Sequence, residues 1–277
     1  MDNNITSSDH VLLSNGVAMP RVGLGVFRSA RGNETQLAVA DALSIGYRHI
    51  DTAAIYGNET DVGVAIAASG VPRDQIFVTT KLWNQDQGYD NALRAFDNSM
   101  RALGPSTIDL YLLHWPVPRL RLDSWRALET LYEQGRVRAI GVSNFMVRHL
   151  DELSAHARIA PMVNQIEVHP FLQQPLVREW CARHRIAVAA YSPLAKATAL
   201  NNSVVTAVAR DERMSPAQVL LTWGLQRCDV VLAKSVKRPR QMENLAARSI
   251  SLSKESLQRL DALEAGRVTG WDPRKID

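Results

Sequence analysis

Short runs of apolar residues alternate with longer amphipathic segments along the chain. Eight of the short runs are almost continuously apolar, as is typical of strands that are buried on both faces of a parallel sheet. These runs are 21–25 (RVGLG), 48–51 (RHID), 76–81 (IFVTTK), 108–113 (IDLYLL), 137–142 (VRAIGV), 162–167 (MVNQIE), 186–191 (IAVAAY) and 230–234 (VVLAK). The segments between them have helical periodicity, and Ser215-Pro216 followed by Gln218 predicts a capped helix start.

Eight strand–helix repeats in 277 residues favour an α/β fold of the (β/α)8, or TIM, barrel type. We expect residues 1–277 to form a single domain, because no linker or low-complexity segment interrupts the alternation. An open, doubly wound sheet alternates in the same way and stays open as an alternative. Asn15-Gly16 lies between two apolar runs before the first strand, which predicts a β-hairpin with a type I′ turn that closes one end of the barrel.

The composition adds limits on location and partners. With 46% hydrophobic and 22% charged residues, the chain resembles an ordinary globular protein that buries a core without disulfides. Only two cysteines are present and the first residues are polar, so we expect a cytoplasmic protein. The net charge of +4 is dispersed and apolar runs are short, which predicts neither nucleic-acid nor membrane binding; nothing demands more than a monomer.

Polar residues stand at the carboxyl ends of seven of the eight apolar runs. Barrel enzymes keep their catalytic groups at the carboxyl ends of the strands, so these residues should form a ring around one active site. They are Asp51, Lys81, His114, Asn144, Gln165, Tyr191 and Lys234.

Four residues in or near this ring, Asp51, Tyr56, Lys81 and His114, form a coherent acid–base set. The ammonium of Lys81 would lower the pKa of the Tyr56 phenol, and Asp51 would hold the lysine. His114 could orient the oxygen that receives the phenolic proton. Such a group suits general acid catalysis on a carbonyl that is being reduced. Taken singly, each residue also has a structural interpretation, and their conjunction favours a site.

Several blocks resemble the signature sequences of the aldo-keto reductase family, especially its small bacterial members related to 2,5-diketo-gluconate reductases. They are IDTAAIYGNE (50–59), TTKLWN (79–84), LLHWP (112–116), GVSNF (141–145), NQIEVHP (164–170), YSPLA (191–195) and KSVKRPRQMEN (234–244), in the family's order. The resemblance implies an NADPH-dependent reductase that transfers a hydride to aldehydes, ketones, small dicarbonyls or keto sugars. It also implies that Asp51, Tyr56, Lys81 and His114 are the catalytic tetrad, with Tyr56 as general acid.

The same resemblance implies the binding residues. Ser143, Asn144 and Gln165 would bind the nicotinamide carboxamide, and Tyr191 would stack on its ring. Ser192 and Leu194 would line the pyrophosphate path, and the adenosine end would contact Lys234, Ser235, Val236, Arg240, Glu243 and Asn244. A lysine and an arginine suit a 2′-phosphate, which favours NADPH over NADH. Ile55, Trp83 and His114 would contact the substrate, in a pocket that short loops leave open to many carbonyl compounds.

Some residues depart from familiar patterns. Gly23 and Gly25 form G-x-G, but Arg28 replaces the third glycine of a dinucleotide-binding turn, so we expect both glycines to serve tight packing. Ala233 stands where the family usually has proline, which predicts a slightly looser backbone before Lys234. Arg119 and Arg121 could attract an anionic substrate or simply be solvated.

Two other classes of function are alternatives to a reductase. Some relatives of the family act as cofactor-sensing partners of membrane channels, but the intact tetrad and short loops favour an enzyme. A barrel hydrolase or lyase would need a carboxylate pair or a metal site. The histidines lack metal-ligand spacing and neither cysteine lies in C-x-x-C, so we expect no metal.

Overall fold

The computed structural model describes residues 9–104 and 108–277. The strands in these residues are β1 (His10–Leu12), β2 (Ala18–Pro20), β3 (Val22–Gly25), β4 (His49–Asp51), β5 (Phe77–Leu82), β6 (Ile108–Leu113), β7 (Val137–Ser143), β8 (Val163–Glu167), β9 (Ala187–Tyr191) and β10 (Val230–Ala233). The α-helices are α1 (Asn33–Ser44), α2 (Glu59–Ala68), α3 (Tyr89–Leu103), α4 (Arg121–Glu133), α5 (Val147–His156), α6 (Pro175–Arg183), α7 (Ser203–Asp211), α8 (Pro216–Arg227), α9 (Arg238–Ala246) and α10 (Lys254–Asp261). In this part of the chain, no helix combines the length and apolarity needed to cross a membrane.

Strands β3 to β10 form a closed parallel barrel, in which β10 pairs with both β3 and β9. Closure confirms the (β/α)8 prediction and excludes the open sheet. The eight predicted runs coincide with these strands to within one or two residues. Between β9 and β10 the barrel has two helices, α7 and α8, which explains the long interval between Tyr191 and Lys234. The predicted cap of α8 is confirmed, since Ser215 Oγ accepts from the Gln218 N–H at 3.2 Å.

The N-terminal hairpin of β1 and β2 is confirmed, but its turn differs from the prediction. A type I′ turn needs positive φ at both central residues, whereas Gly16, with φ 84°, is the one residue of the 13–17 loop in that region. The Gly16 N–H donates to the Leu13 carbonyl at 2.8 Å, and the Leu13 N–H donates to the Val17 carbonyl at 2.9 Å. Asn15 Nδ2 donates to the Arg138 carbonyl at 2.9 Å, near the start of β7, so the hairpin closes the amino-terminal end of the barrel.

The glycines in the barrel strands serve different purposes. A Cβ on Gly23 would lie 2.5 Å from Leu232 Cδ2, so tight packing is confirmed there. A Cβ on Gly25 would meet nothing within 4 Å, so the packing prediction is wrong for Gly25, which lines a cavity instead. In β7, a Cβ on Gly141 would lie 2.5 Å from the Val163 carbonyl oxygen of neighbouring β8. Gly141 therefore allows these two strands to approach.

We expect Gly141→Ala to lower the free energy of unfolding by about 1–3 kcal/mol, because the added methyl forces the β7 and β8 backbones apart. Gly25→Ala is the matched control, since its methyl would enter open space and change stability by less than about 0.5 kcal/mol. Urea unfolding followed by circular dichroism measures both values. Equal stability of the two variants would contradict the packing argument.

Candidate active site

One cavity of about 1000 Å³ opens at the carboxyl ends of the barrel strands. The residues predicted to act in catalysis, cofactor binding and substrate binding all line it, except Lys81. Lys81 is fully buried immediately behind Asp51. The closed barrel therefore brings together side chains that are separated by up to about 190 residues in the sequence.

A buried ion pair forms the base of the cavity. Lys81 Nζ donates to Asp51 Oδ1 and to the Thr52 carbonyl, both at 2.7 Å, while Gln165 Nε2 donates to Asp51 Oδ2 at 2.8 Å. Burial lowers the pKa of Lys81, and the adjacent Asp51 carboxylate opposes that shift. Asp51, Lys81 and Gln165 lie on three barrel strands, β4, β5 and β8 respectively.

Tyr56 lies in a short 3-10 turn, Ala54–Tyr56, after β4. Lys81 Nζ is 5.3 Å from the centre of its ring, and the ring of Phe27 packs at 4.9 Å. Contrary to the prediction, the cation of Lys81 does not bring the pKa of Tyr56 below its usual value in this structure. Burial, followed by repulsion from Asp51, raises the pKa of the phenol well above its usual value, because the phenolate would lose its hydration.

His114 follows β6 and is held by its backbone. Its N–H donates to the Leu82 carbonyl at 3.1 Å, and its carbonyl accepts from Asn144 Nδ2 at 3.0 Å. Burial, with a smaller contribution from Lys81, lowers the pKa of the imidazole well below its usual value, so the ring is neutral at physiological pH. Nδ1 is buried and has no hydrogen-bond partner among the described residues.

Beside this group, polar side chains from β7, β8 and β9 form a connected network. Tyr191 Oη donates to Asn144 Oδ1 at 2.7 Å, and Ser143 Oγ donates to the Gln165 carbonyl at 2.9 Å. Asn144 adopts a positive φ of 64°, which its short polar side chain tolerates. Amide and hydroxyl groups of this kind provide the donors and acceptors that a carboxamide requires.

The other end of the cavity is cationic. Lys234 and Arg240 are exposed at its edge, and the side chain of neither forms a hydrogen bond or ion pair with another residue in the described parts of the chain. Arg238, two residues before Arg240, instead pairs with Asp41 at 3.0 Å. Two uncompensated cations beside a cavity suit a phosphate group. The buried Ala233 is held in register with Leu24 just before them.

A family model described as "Aldo/keto reductase family" matches residues 21–265. The chain belongs to this family. It is 48% identical to a 9,11-endoperoxide prostaglandin H2 reductase of Trypanosoma cruzi, over 95% of this chain and 94% of that protein. It is 47% identical to a glyoxal reductase of Bacillus subtilis, over 97% of each chain. A solved structure of a Gox0644 mutant in complex with NADPH is 38% identical, with a TM-score of 0.91 over 97% of this chain and 98% of that one.

The expected resemblance to small bacterial aldo-keto reductases is therefore confirmed. The predicted enzyme class and cofactor are also confirmed, since this aldo-keto reductase is an oxidoreductase of the NADPH-dependent type. In residues 9–104 and 108–277, no three His, Cys, Asp or Glu side chains are grouped in a way that could hold a metal ion.

Sequence reasoning missed several residues that line the cavity of this reductase. Phe27 and Arg28 follow β3, the one barrel strand for which no carboxyl-end residue was selected, so the same rule would have found them. Trp115 follows His114 directly. Trp271 lies in the C-terminal tail, which has no periodic pattern that could have placed it.

The structure corrects the expectation for Arg121. Its side chain is buried and does not face the cavity. It pairs with Glu152 and donates to the carbonyls of Pro116 at 3.1 Å and Asp277 at 2.6 Å. Arg121 therefore anchors the end of the chain.

The neutral state of His114 predicts a dependence of stability on pH. Because its folded-state pKa lies below the unfolded value of ~6.5, the unfolded chain binds the extra proton as the pH falls below that value. The free energy of unfolding should therefore fall more steeply below pH 6.5 in the wild type than in His114→Gln, by up to about 1.4 kcal/mol per pH unit. Urea unfolding at a series of pH values tests this, and curves that stay parallel down to pH 5 would contradict it.

Proposed function

We propose that this aldo-keto reductase reduces aldehydes, ketones and small dicarbonyls or keto sugars to alcohols, with NADPH as the reductant and Tyr56 as the general acid. One observation carries the proposal. A protonated phenol and a neutral imidazole line the same cavity, next to a buried ammonium–carboxylate pair. This arrangement suits proton delivery to an oxygen on which negative charge develops.

The cavity residues fit the cofactor along its length. Ser143, Asn144 and Gln165 would hold the nicotinamide carboxamide, with Tyr191 against the ring. Ser192 and Leu194 would line the pyrophosphate path. The adenosine end would be held by Lys234, Ser235, Val236, Arg240, Glu243 and Asn244. NADPH, when bound, supplies a hydride to the carbonyl carbon.

Tyr56 supplies the proton. Because burial keeps the pKa of its phenol high, the group is fully protonated before the reaction. It gives this proton to the substrate oxygen as the carbon–oxygen double bond becomes a single bond. The ammonium of Lys81, 5.3 Å from the centre of the ring, stabilises the phenolate that remains.

Two further groups support that transfer. Asp51 keeps Lys81 paired at 2.7 Å, so that a cation stays beside the phenol within the apolar core. His114, as a neutral imidazole, can donate an N–H hydrogen bond to the substrate oxygen without competing for the proton. One chain contributes all these residues, so the proposed reaction requires only a monomer.

The substrate end of the cavity supports a broad carbonyl specificity. Its walls carry Ile55, Phe27, Trp83, Trp115 and Trp271 around the polar Tyr56 and His114. An apolar wall with few polar groups selects weakly among small carbonyl compounds. The relative named as a glyoxal reductase supports dicarbonyls as one substrate class.

We expect Tyr56→Phe to lower kcat for methylglyoxal and 4-nitrobenzaldehyde by about 10²–10⁴-fold, because it removes the proton donor. NADPH oxidation at 340 nm measures the rate, and quenching of protein fluorescence measures NADPH binding, which should persist. Tyr89→Phe, a tyrosine on α3 outside the cavity, is the matched control and should keep wild-type activity. Full activity in Tyr56→Phe would refute the mechanism. A wild-type protein that binds NADPH but reduces no carbonyl compound would favour a regulatory role.

We expect Arg240→Ala to weaken NADPH binding by about 10-fold and NADH binding by less than about 2-fold, because the lost charge pairs with the 2′-phosphate alone. Arg238→Ala is the matched control, since Arg238 pairs with Asp41 and does not line the cavity. Fluorescence titration with both cofactors gives the four dissociation constants. An equal loss for NADPH and NADH would contradict the assignment of Arg240.

A further inference from the structure

Glu167 lies at the carboxyl end of β8, next in register to Tyr191, but its carboxylate makes no hydrogen bond to the acid–base group among the described residues and does not line the cavity. It is buried, with 3% of its surface exposed. Burial alone would raise its pKa, but hydrogen bonds from His169 and Thr269 outweigh burial and hold the pKa below the usual value. A buried carboxylate that stays ionised needs such donors. The donors therefore identify the segments of the chain that Glu167 holds in place.

The main partner of Glu167 is Thr269 in the C-terminal tail. The Thr269 N–H donates to Glu167 Oε1 at 3.1 Å, and the Thr269 hydroxyl donates to the same oxygen. His169 Nε2 lies 3.3 Å from Oε1. On the other side, Lys196 Nζ donates to the Thr269 carbonyl. A single tail residue is therefore held both by a barrel strand and by the loop that follows β9.

Thr269 is two residues before Trp271, whose ring completes the outer wall of the cavity. The centre of the Trp271 ring is 6.2 Å from that of Trp83 and 5.8 Å from that of Trp115. Trp271 nevertheless keeps 67% of its surface exposed, so packing on the barrel alone does not fix it. Beyond Trp271, the tail is anchored separately, since Arg148 donates to the Arg274 carbonyl at 2.8 Å.

We propose that Glu167 is a positioning residue for the substrate wall: by holding Thr269 it sets the place of Trp271, and so the affinity for carbonyl compounds large enough to reach that ring. This inference rests on the proposed function. A three-carbon dicarbonyl that binds near Tyr56 and His114 does not extend to the outer wall. An aromatic aldehyde extends to that wall. The Glu167–Thr269 contact therefore changes KM for the larger substrate and leaves the proton transfer unchanged.

The test compares two substrates in Glu167→Gln, Thr269→Val and Trp271→Ala. Thr269→Val keeps the side-chain shape and removes only the hydroxyl. Thr269 is partly exposed, so this variant tests the contact without altering a buried residue, whereas Glu167→Gln alters one. In each variant we expect KM for 4-nitrobenzaldehyde to rise by about 10-fold with kcat within about 2-fold. In Glu167→Gln and Thr269→Val, both constants for methylglyoxal should stay within about 2-fold. Adding Glu167→Gln to Trp271→Ala should cause no further rise, because both act through the same ring.

Thr269→Ser, which restores the hydroxyl, should return KM toward the wild-type value. Glu179→Gln, an exposed carboxylate on α6, is the matched control for the charge change. Equal losses with both substrates, or additive losses in the double variant, would overturn the proposal.

A readout without turnover separates this inference from the proposed function. Arg267 is an exposed trypsin site two residues before Thr269. We expect cleavage after Arg267, followed by mass spectrometry, to be about 5-fold faster in Thr269→Val and Glu167→Gln than in the wild type and Glu179→Gln. If the variants were cleaved faster but the wild-type protein reduced no carbonyl compound, the Glu167–Thr269 contact would be supported and the proposed function would be rejected. Unchanged cleavage would reject the contact itself.

Discussion

Lys81 carries an ammonium with no exposed surface, and the Asp51 carboxylate 2.7 Å away makes that burial tolerable. Moving an ion from water into a protein interior costs several kcal/mol, and a partner offsets this only when the geometry is good and the remaining lone pairs are satisfied. Both conditions hold here. The Thr52 carbonyl accepts a second hydrogen bond from Lys81, and Gln165 donates one to the second oxygen of Asp51.

The need to pair the buried charges of Lys81 and Asp51 makes the candidate active site depend on the geometry of the barrel. Asp51 and Lys81 come from neighbouring strands, but Gln165 comes from β8, on the other side of the cavity. The three groups meet only if the sheet closes with its present register, and Gly141 allows the β7–β8 contact on which that register depends. The position of the ion pair is therefore a consequence of barrel closure, and any shift between strands would leave a buried charge without its partner.

The sequence predicted the strands well because parallel barrel strands are buried on both faces and appear as continuous apolar runs. It predicted the ring of polar residues for a related reason, since their place at strand ends follows from the fold. It could not predict the pKa of Tyr56. The presence of Lys81 is visible in the sequence, but the loss of hydration that dominates the pKa depends on how Phe27 and other distant residues enclose the ring. Trp271 was missed because the tail is placed by single contacts, such as that of Thr269 with Glu167, which leave no periodic pattern.

Burial also assigns the protonation states on which the proposed chemistry depends. The same loss of hydration that disfavours the ammonium of Lys81 disfavours a Tyr56 phenolate and a His114 imidazolium. Lys81 stays paired because Asp51 is in direct contact, whereas no carboxylate among the described residues hydrogen-bonds to the Tyr56 hydroxyl or the His114 ring. The cavity therefore presents two neutral hydrogen-bond donors in front of one compensated cation. In the proposed mechanism these groups stabilise an oxygen that gains negative charge during reduction, and their burial in the barrel strengthens that stabilisation.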